Sequence, residues 1–132
     1  MIVVDTSALI AITLGEDLAP QCQNALVRAD RRLIAAPTLT EALIVAQGKQ
    51  RLDILEELLS AIRIEVVEWT ETRARAAAEG YAKYGFGSKA AALNYGDSFS
   101  YALAREFNCP ILFIGNDFAQ TDIASALASQ HG

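Results

Sequence analysis

Four acidic residues, far apart in the sequence, each stand beside an apolar run or near the start of a helical pattern. They are Asp5, Glu41, Asp97 and Asp117. Ionised carboxylates that pack together repel one another unless cations bind between them. Hard oxygen ligands around an open cavity suit Mg²⁺ or Mn²⁺, with water filling the remaining octahedral positions. Such a site can generate a hydroxide-like nucleophile and neutralise charge on a phosphate, so the four acids are candidate metal ligands and catalytic residues.

Taken one at a time, the acids also have structural interpretations. Glu41 can close a capping box that Thr38 opens, and Asp97 can do the same for Asn94. Asp5 is harder to explain in this way, because an acid that ends a buried strand needs a partner. The prediction of a metal site therefore depends on the constellation and not on any single acid.

The histidine content narrows the chemistry further. The one histidine is His131, next to last in the chain, where chains usually fray. A Ser-His-Asp triad, a Cys-His dyad, an HExxH zinc site and paired-histidine RNA cleavage all lack their histidine. An enzyme with this sequence is expected to work with carboxylates.

Short apolar runs alternate with helical patterns, and these elements must position the acids. The predicted strands are Ile2 to Val4, Leu33 to Ala36, Ile64 to Trp69 and Ile111 to Ile114. The predicted helices are Thr6 or Ser7 to about Leu14, Leu18 to Ala29, one opening at the Thr38 capping box, Leu52 to Ile62, Glu71 to about Tyr84, and the residues after Asn94 to Phe107. The tail, Ile123 to Ala128, fits either a helix or a final edge strand. This alternation predicts an α/β sandwich with a mainly parallel sheet, in which ligands lie beyond the carboxyl ends of the strands.

Four stretches of the chain resemble blocks of the PIN-domain family, and VapC-type toxin ribonucleases in particular. They read VVDTSALIAI, APTLTEALIVA, LNYGDSFSYALARE and PILFIGNDFAQTDI. The resemblance implies one PIN domain over residues 1–132, a three-layer α/β/α sandwich with a mainly parallel sheet of four to five strands. It also implies a Mg²⁺- or Mn²⁺-dependent endoribonuclease in the cytoplasm, dimeric and held inactive by a cognate VapB-like antitoxin.

The resemblance can be carried over position by position. Asp5, Glu41 and Asp97 match the three principal acids of the family, and Asp117 matches the fourth. Thr6 and Ser7 match small polar residues beside the first acid. The expected reaction is in-line hydrolysis of an RNA phosphodiester, with one or two metal ions.

One position departs from the pattern of the family. Many relatives have two acids where this chain has Asn116-Asp117, so Asp122 is a nearby substitute for the fourth acid. Asn116 itself could hydrogen-bond a metal-bound water. The sequence leaves the choice between Asp117 and Asp122 open.

The net charge of −5 argues against a nonspecific nucleic-acid coat, although the four acids account for most of it. Local basic residues remain candidates for RNA contact. The segment YAKYGFGSKAAALNY interleaves aromatic residues with Lys83 and Lys89 directly before Asp97, a composition that suits single-stranded RNA. The alternative interpretation is that its tyrosines pack inward and its lysines are solvated.

Two rival functions remain at this point. A phosphoryl-transfer domain would use Asp5 as phospho-acceptor, but position 7 is Ser, so the DxD of one such class is missing. A non-catalytic PIN-like module for RNA or protein interaction would usually have lost acids, and here all four positions are occupied. Uninterrupted apolar runs reach only five residues, far short of the roughly 20 that span a bilayer, so no membrane association is expected.

Overall fold

A computed structural model describes residues 1–85, 87 and 92–127 of the chain. Within them the strands are β1 (Ile2–Val4), β2 (Arg32–Ala35), β3 (Glu65–Val67) and β4 (Ile111–Leu112). The helices are α1 (Thr6–Leu14), α2 (Ala19–Arg28), α3 (Ala36–Gly48), α4 (Leu52–Ile62), α5 (Glu71–Tyr84) and α6 (Tyr95–Phe107). The bounds of α4, α5 and α6 confirm the sequence prediction, and the other elements lie within a few residues of it.

The four strands form one parallel sheet in the order β3-β2-β1-β4. Val3 of β1 stands beside Leu33 of β2 on one side and Ile111 of β4 on the other. Parallel neighbours cannot be joined by tight hairpins, so helices carry the chain back between strands and cover both faces of the sheet.

Alternate residues of each strand face two different cores. Ile2 and Val4 pack with α1 to α4 in one apolar cluster, whereas Val3 packs with α6 and Phe113 in the other. Helix α5 packs mainly against α6. The result is a helix–sheet–helix sandwich, which confirms the predicted fold class.

Helix ends are set by local sequence signals. Helix α1 ends where Gly15 takes a left-handed conformation (φ +67°), which glycine adopts without steric cost. Helix α5 begins after Thr70, whose hydroxyl accepts the N–H of Arg73 at 3.2 Å.

The predicted capping box at the start of α3 is wrong. The helix begins at Ala36, two residues before Thr38, and its cap position has no side-chain hydrogen bond. Pro37 stands in the first turn, where proline fits because the first amide groups of a helix have no intrahelical partner. Glu41 therefore lies in the second turn, and its carboxylate is free of any capping role.

The described part of the tail, up to Leu127, contains no helix. Ser125 instead forms a single parallel bridge to Ile111 of β4, with the Ile111 N–H donating to Ala124 O at 3.0 Å. The chain thus extends the sheet by one short pairing beyond β4. None of the described helices combines the length and apolar character that crossing a membrane requires.

Candidate active site

The four acids predicted from the sequence line one cavity of about 330 Å³ at the carboxyl edge of the sheet. Asp5 follows the last residue of β1 and Asp117 lies in the loop after β4. Glu41 comes from α3, the helix after β2, and Asp97 from the first turn of α6. Thr6 and Ser7, the small polar residues predicted beside the first acid, also line the cavity.

Asp5 is buried, and both of its carboxylate oxygens accept hydrogen bonds from hydroxyl groups. Ser7 Oγ donates to Asp5 Oδ2 at 2.8 Å, and Ser100 Oγ donates to Asp5 Oδ1 at 2.8 Å. The Ser7 hydroxyl is itself oriented by the N–H of Ile114, which donates to it at 3.0 Å. Asp5 is therefore held in one orientation by groups from α1, α6 and the end of β4.

Asp97 has a structural contact and also faces the cavity. Its Oδ2 accepts the N–H of Asn94 at 3.0 Å, and its own N–H donates to Asn94 Oδ1 at 2.8 Å. This reciprocal pair is the predicted capping box of α6, and it is confirmed. The cap fixes the side chain at a helix start, so the structural and chemical interpretations of Asp97 are compatible.

The surroundings make negative charge costly at both aspartates. The pKa of Asp97 is raised to about 8, mainly by desolvation on burial, with smaller contributions from the side chain of Asp117 and the charge of Asp5 and against the opposing bond from Asn94. Desolvation also raises the pKa of Asp5, against the opposing effect of its bonds from Ser100 and Ser7. Two acids with raised pKa values in one cavity are a typical feature of functional sites.

Glu41 is held from the opposite side of the cavity. Thr6 Oγ1 donates to Glu41 Oε1 at 2.7 Å. Gly96 of α6 lies so close that a Cβ added there would come within 2.8 Å of Glu41 Oε2. A side chain at position 96 would displace the carboxylate, so the absence of one lets α3 and α6 approach at the site.

The two candidates for the fourth acid have different surroundings. Asp117 lines the cavity. Asp122 lies outside it, where its Oδ1 accepts the Tyr101 hydroxyl at 2.8 Å and its Oδ2 pairs with Arg105 at 3.1 Å. Asn116 is exposed and is not among the lining residues.

Of the two lysines predicted to contact RNA, Lys83 does not line this cavity. Lys83 stands in the last turn of α5, with its ammonium 5.2 Å from the centre of the Tyr84 ring. It lines a groove between α5 and α6 that shares no lining residue with the acid cavity. Lys89 lies outside the described residues.

Sequence reasoning missed three polar residues of the site: Ser100, Glu16 and Asn94, the last of which it identified only as a helix cap. Ser100 is fully buried against Asp5, and the signal that could have found it is its position three residues after Asp97, on the same helix face. Glu16, beyond the end of α1, also lines the cavity and has no sequence signal that distinguishes it from other surface acids.

The donor set of the cavity fits a hard divalent ion bound largely through water. All four acids offer carboxylate oxygens, which Mg²⁺ and Mn²⁺ prefer. Within the described part of the chain, no three His, Cys, Asp or Glu side chains are arranged to ligate one ion together. Mg²⁺ commonly binds through one or two carboxylates and keeps several waters, so this arrangement suits Asp5 and Asp97 as direct ligands.

Comparison with known proteins finds a family that the chain matches and relatives that it covers almost completely. The PIN domain profile matches residues 2–124. Ribonuclease VapC42 of Mycobacterium tuberculosis is 41% identical over 128 residues, which cover 94% of this chain and 98% of that protein. Ribonuclease VapC28 of the same species is 42% identical over 129 residues, covering 95% and 97%.

Solved structures show the same fold at lower identity. The crystal structure of Mycobacterium tuberculosis VapC20, a sarcin–ricin loop cleaving toxin, matches with a TM-score of 0.76 at 15% identity, covering 94% of this chain and 97% of that one. A chain of a toxin–antitoxin complex from Klebsiella pneumoniae matches with a TM-score of 0.74 at 17% identity, covering 96% and 98%.

Proposed function

Because this chain belongs to the PIN-domain family and is similar over almost its whole length to VapC ribonucleases, we propose that it is a Mg²⁺- or Mn²⁺-dependent endoribonuclease and the toxin of a toxin–antitoxin pair. The observation that carries this proposal is the cavity in which the four predicted acids meet. None of the described residues that line it is basic, so these residues leave the charge of the four acids unbalanced.

In the proposed site Asp5 and Asp97 are the principal ligands of the divalent ion. A divalent ion held by these residues would supply a water of lowered pKa and positive charge opposite the phosphate. The hydroxyls of Ser7 and Ser100 hold both oxygens of Asp5 in a fixed direction, so the carboxylate does not have to reorganise when it binds. The raised pKa of Asp97 means that this group releases a proton when a cation arrives.

Glu41 and Asp117 are proposed to orient the attacking water or to reach the ion through water. One oxygen of Glu41 is already occupied by Thr6, which leaves Oε2 to accept a hydrogen bond from that water and then its proton. The water oxygen forms a bond to phosphorus while the bond to the 3′ oxygen breaks. The 3′ oxygen leaves with a proton from solvent, and the new 5′ end carries the phosphate.

The same family membership supports partners for the proposed toxin. We propose a cognate VapB-like antitoxin, a homodimeric active form and a cytoplasmic location, where RNA substrate is available. Exposed apolar side chains on helices support the binding of protein partners, and Val27 of α2 is 78% exposed. Co-expression with the product of a short upstream reading frame, followed by size-exclusion chromatography, tests both partners.

Cleavage of defined tRNA and mRNA substrates tests the enzymatic proposal directly. We expect the wild-type protein to cut RNA with Mg²⁺ or Mn²⁺ and to lose this activity in EDTA. Asp5→Asn is expected to be inactive while remaining folded, because it removes a charge from the buried site without changing its shape.

Asp53→Asn is the matched control, since Asp53 is an exposed acid in the first turn of α4. It is expected to cut RNA like the wild type. RNA cleavage that persists in EDTA, or in the Asp5→Asn protein, contradicts the proposal. Folded protein that binds RNA but cuts none of the substrates with either metal indicates a non-catalytic interaction module instead.

A further inference from the structure

A second, more apolar groove lies directly beside the acid cavity. It has a volume of about 720 Å³ and is formed by α3, the start of α6 and the segment after β3. Its aromatic lining residues are Trp69, Tyr95 and Phe99. Glu41 and Val45 line both the groove and the acid cavity, so the two spaces are continuous.

The groove follows the same edge of the sheet as the acids. Trp69 stands two residues after the end of β3, at the carboxyl end of the outermost strand. Along this edge the acid cavity lies beyond β4 and β1, and the groove continues it toward β3. Ligands of open α/β sheets bind beyond the carboxyl ends of the strands, so an extended ligand in the acid cavity would run into the groove.

The three aromatic rings form a chain of edge-to-face contacts. Trp69 and Phe99 have ring centres 5.6 Å apart at 87°, and Phe99 and Tyr95 have ring centres 5.0 Å apart at 85°. Tyr95 is nevertheless 77% exposed. Because Tyr95 is largely exposed and its described ring contact is with Phe99, most of its ring stays open to solvent in the groove that Glu41 also lines.

Gly96 keeps this aromatic surface close to the acids. It follows Tyr95 and precedes Asp97, and a Cβ there would displace the Glu41 carboxylate. Gly96 and Glu41 both line the groove, so the glycine lets the aromatic surface and the carboxylate lie side by side. Tyr95, which lines the groove, and Asp97, which lines the acid cavity, are thus only two residues apart in the first turn of α6.

We propose that this groove binds a nucleobase of single-stranded RNA that neighbours the scissile phosphate, by stacking on Tyr95 above Trp69 and Phe99. The inference rests on the proposed function, since it places the phosphate among the acids. A nucleobase fits because it presents a flat apolar face beside a charged backbone, and base–aromatic stacking is worth about 1–3 kcal/mol per base. A second copy of the chain fits less well, because an apolar interface here would bury the Glu41 carboxylate without a counter-charge among the described residues of the groove.

The single tryptophan of the sequence reports on the groove directly. We expect an RNA hexanucleotide to quench the fluorescence of Trp69, both for the wild type in EDTA and for Asp97→Asn in Mg²⁺. A hexamer of the same length without bases is expected not to quench it. Absence of quenching by the RNA hexamer in both proteins overturns the proposal.

Variants of Tyr95 show whether RNA binding depends on stacking against its aromatic ring. Tyr95→Ala is expected to weaken hexamer binding about 5- to 150-fold, the equivalent of one stacked base, and Tyr95→Phe to stay within about twofold of wild type. Ile54→Ala, which removes an exposed apolar side chain from α4, is the control and is expected to bind like wild type. Equal binding by Tyr95→Ala and wild type overturns the proposal.

Sedimentation of the same proteins tests whether a second copy of the chain, instead of RNA, occupies the groove. If Tyr95→Ala leaves RNA affinity unchanged but abolishes a concentration-dependent dimer, the groove is a contact between copies and the proposal is wrong. Binding and cleavage are measured separately, so their failures can be distinguished. Quenching that depends on the bases, without RNA cleavage in either metal, would support the base site and contradict the proposed nuclease activity.

Discussion

In two regions of the molecule, carboxylates have opposite electrostatic surroundings. On the outer side of α5 and α6, Glu106 forms a two-point ion pair with Arg73 at 2.8 and 2.9 Å, and this contact lowers the pKa of Glu106. In the cavity at the sheet edge, Asp5 and Asp97 are buried beside other acids and their pKa values are raised. No ion pair joins the cavity acids to a lysine or arginine in the parts of the chain that the structure describes.

The difference separates carboxylates that a neighbouring arginine neutralises from carboxylates that the described residues leave without a counter-charge. A paired surface acid contributes modestly to stability and does not need any group from outside. Buried acids placed side by side lower the stability of the metal-free protein, and such an arrangement is retained where it has a function.

Asp97→Asn and Asp122→Asn compare one acid from each region in the same assay. Loss of the cavity acid is expected to lower the rate of metal-dependent RNA cleavage at least about 100-fold, because it removes a charge that acts on the reacting phosphate through the ion. Loss of Asp122, which pairs with Arg105 and Tyr101, is expected to change the rate less than about twofold. A larger loss in Asp122→Asn would mean that this residue, and not a cavity acid, completes the site.

The stability of the metal-free protein is expected to fall as pH rises between about 4 and about 8. Asp97 titrates near 3.8 in the unfolded chain and at about 8 in the folded one, so the folded state keeps a proton that the unfolded state has lost. Thermal denaturation in EDTA across this pH range measures the effect.

The slope of Tm against pH should be smaller in Asp97→Asn, and smaller in the wild type when Mg²⁺ is present, because each change removes the cost of ionising this group. A wild-type Tm that rises with pH across the interval, or slopes that are the same in variant and wild type, would contradict the unpaired state of the cavity acids.

Ser100→Ala tests whether the hydroxyls around Asp5 prepare it to bind a metal ion. The variant removes the donor to Asp5 Oδ1, so we expect Mn²⁺ to bind about 10- to 100-fold more weakly in titration calorimetry. Ser98→Ala is the matched control, since Ser98 is also buried on α6 but donates to the backbone oxygen of Tyr95. Similar Mn²⁺ affinities in both variants would show that Ser100 only packs.

Glu106→Gln is expected to have the smallest effect, because the ion pair it breaks is partly exposed. We expect the free energy of unfolding at neutral pH to fall by about 0.5–1 kcal/mol, with RNA cleavage unchanged. Since the pKa of Glu106 is lowered, its contribution is present above the ordinary pKa of glutamate and is lost as pH falls through the folded value. Urea denaturation at neutral and acidic pH should show the difference from wild type disappearing in acid.

Much of the fold could be predicted because its signals are local. Gly15, Thr70 and Asn94 end or begin helices where the sequence places them, and the apolar runs identify the strands. The error at α3 has an equally local cause. Thr38 and Glu41 fit a capping box in the sequence, but buried Ala35 and Pro37 allow the helix to begin earlier, and the Thr38 side chain becomes buried instead.

The sequence by itself determined which residue types could do chemistry here: acids without a usable histidine, spaced so that a parallel sheet brings them to one edge. It could not choose between Asp117 and Asp122, because they lie five residues apart in one loop and only the packing of Tyr101 and Arg105 distinguishes their surroundings. The contact of Ser100 with Asp5 and the aromatic groove beside Glu41 were likewise decided by tertiary structure. Local signals specify the ends of helices and strands, whereas contacts between residues distant in sequence depend on how those elements pack.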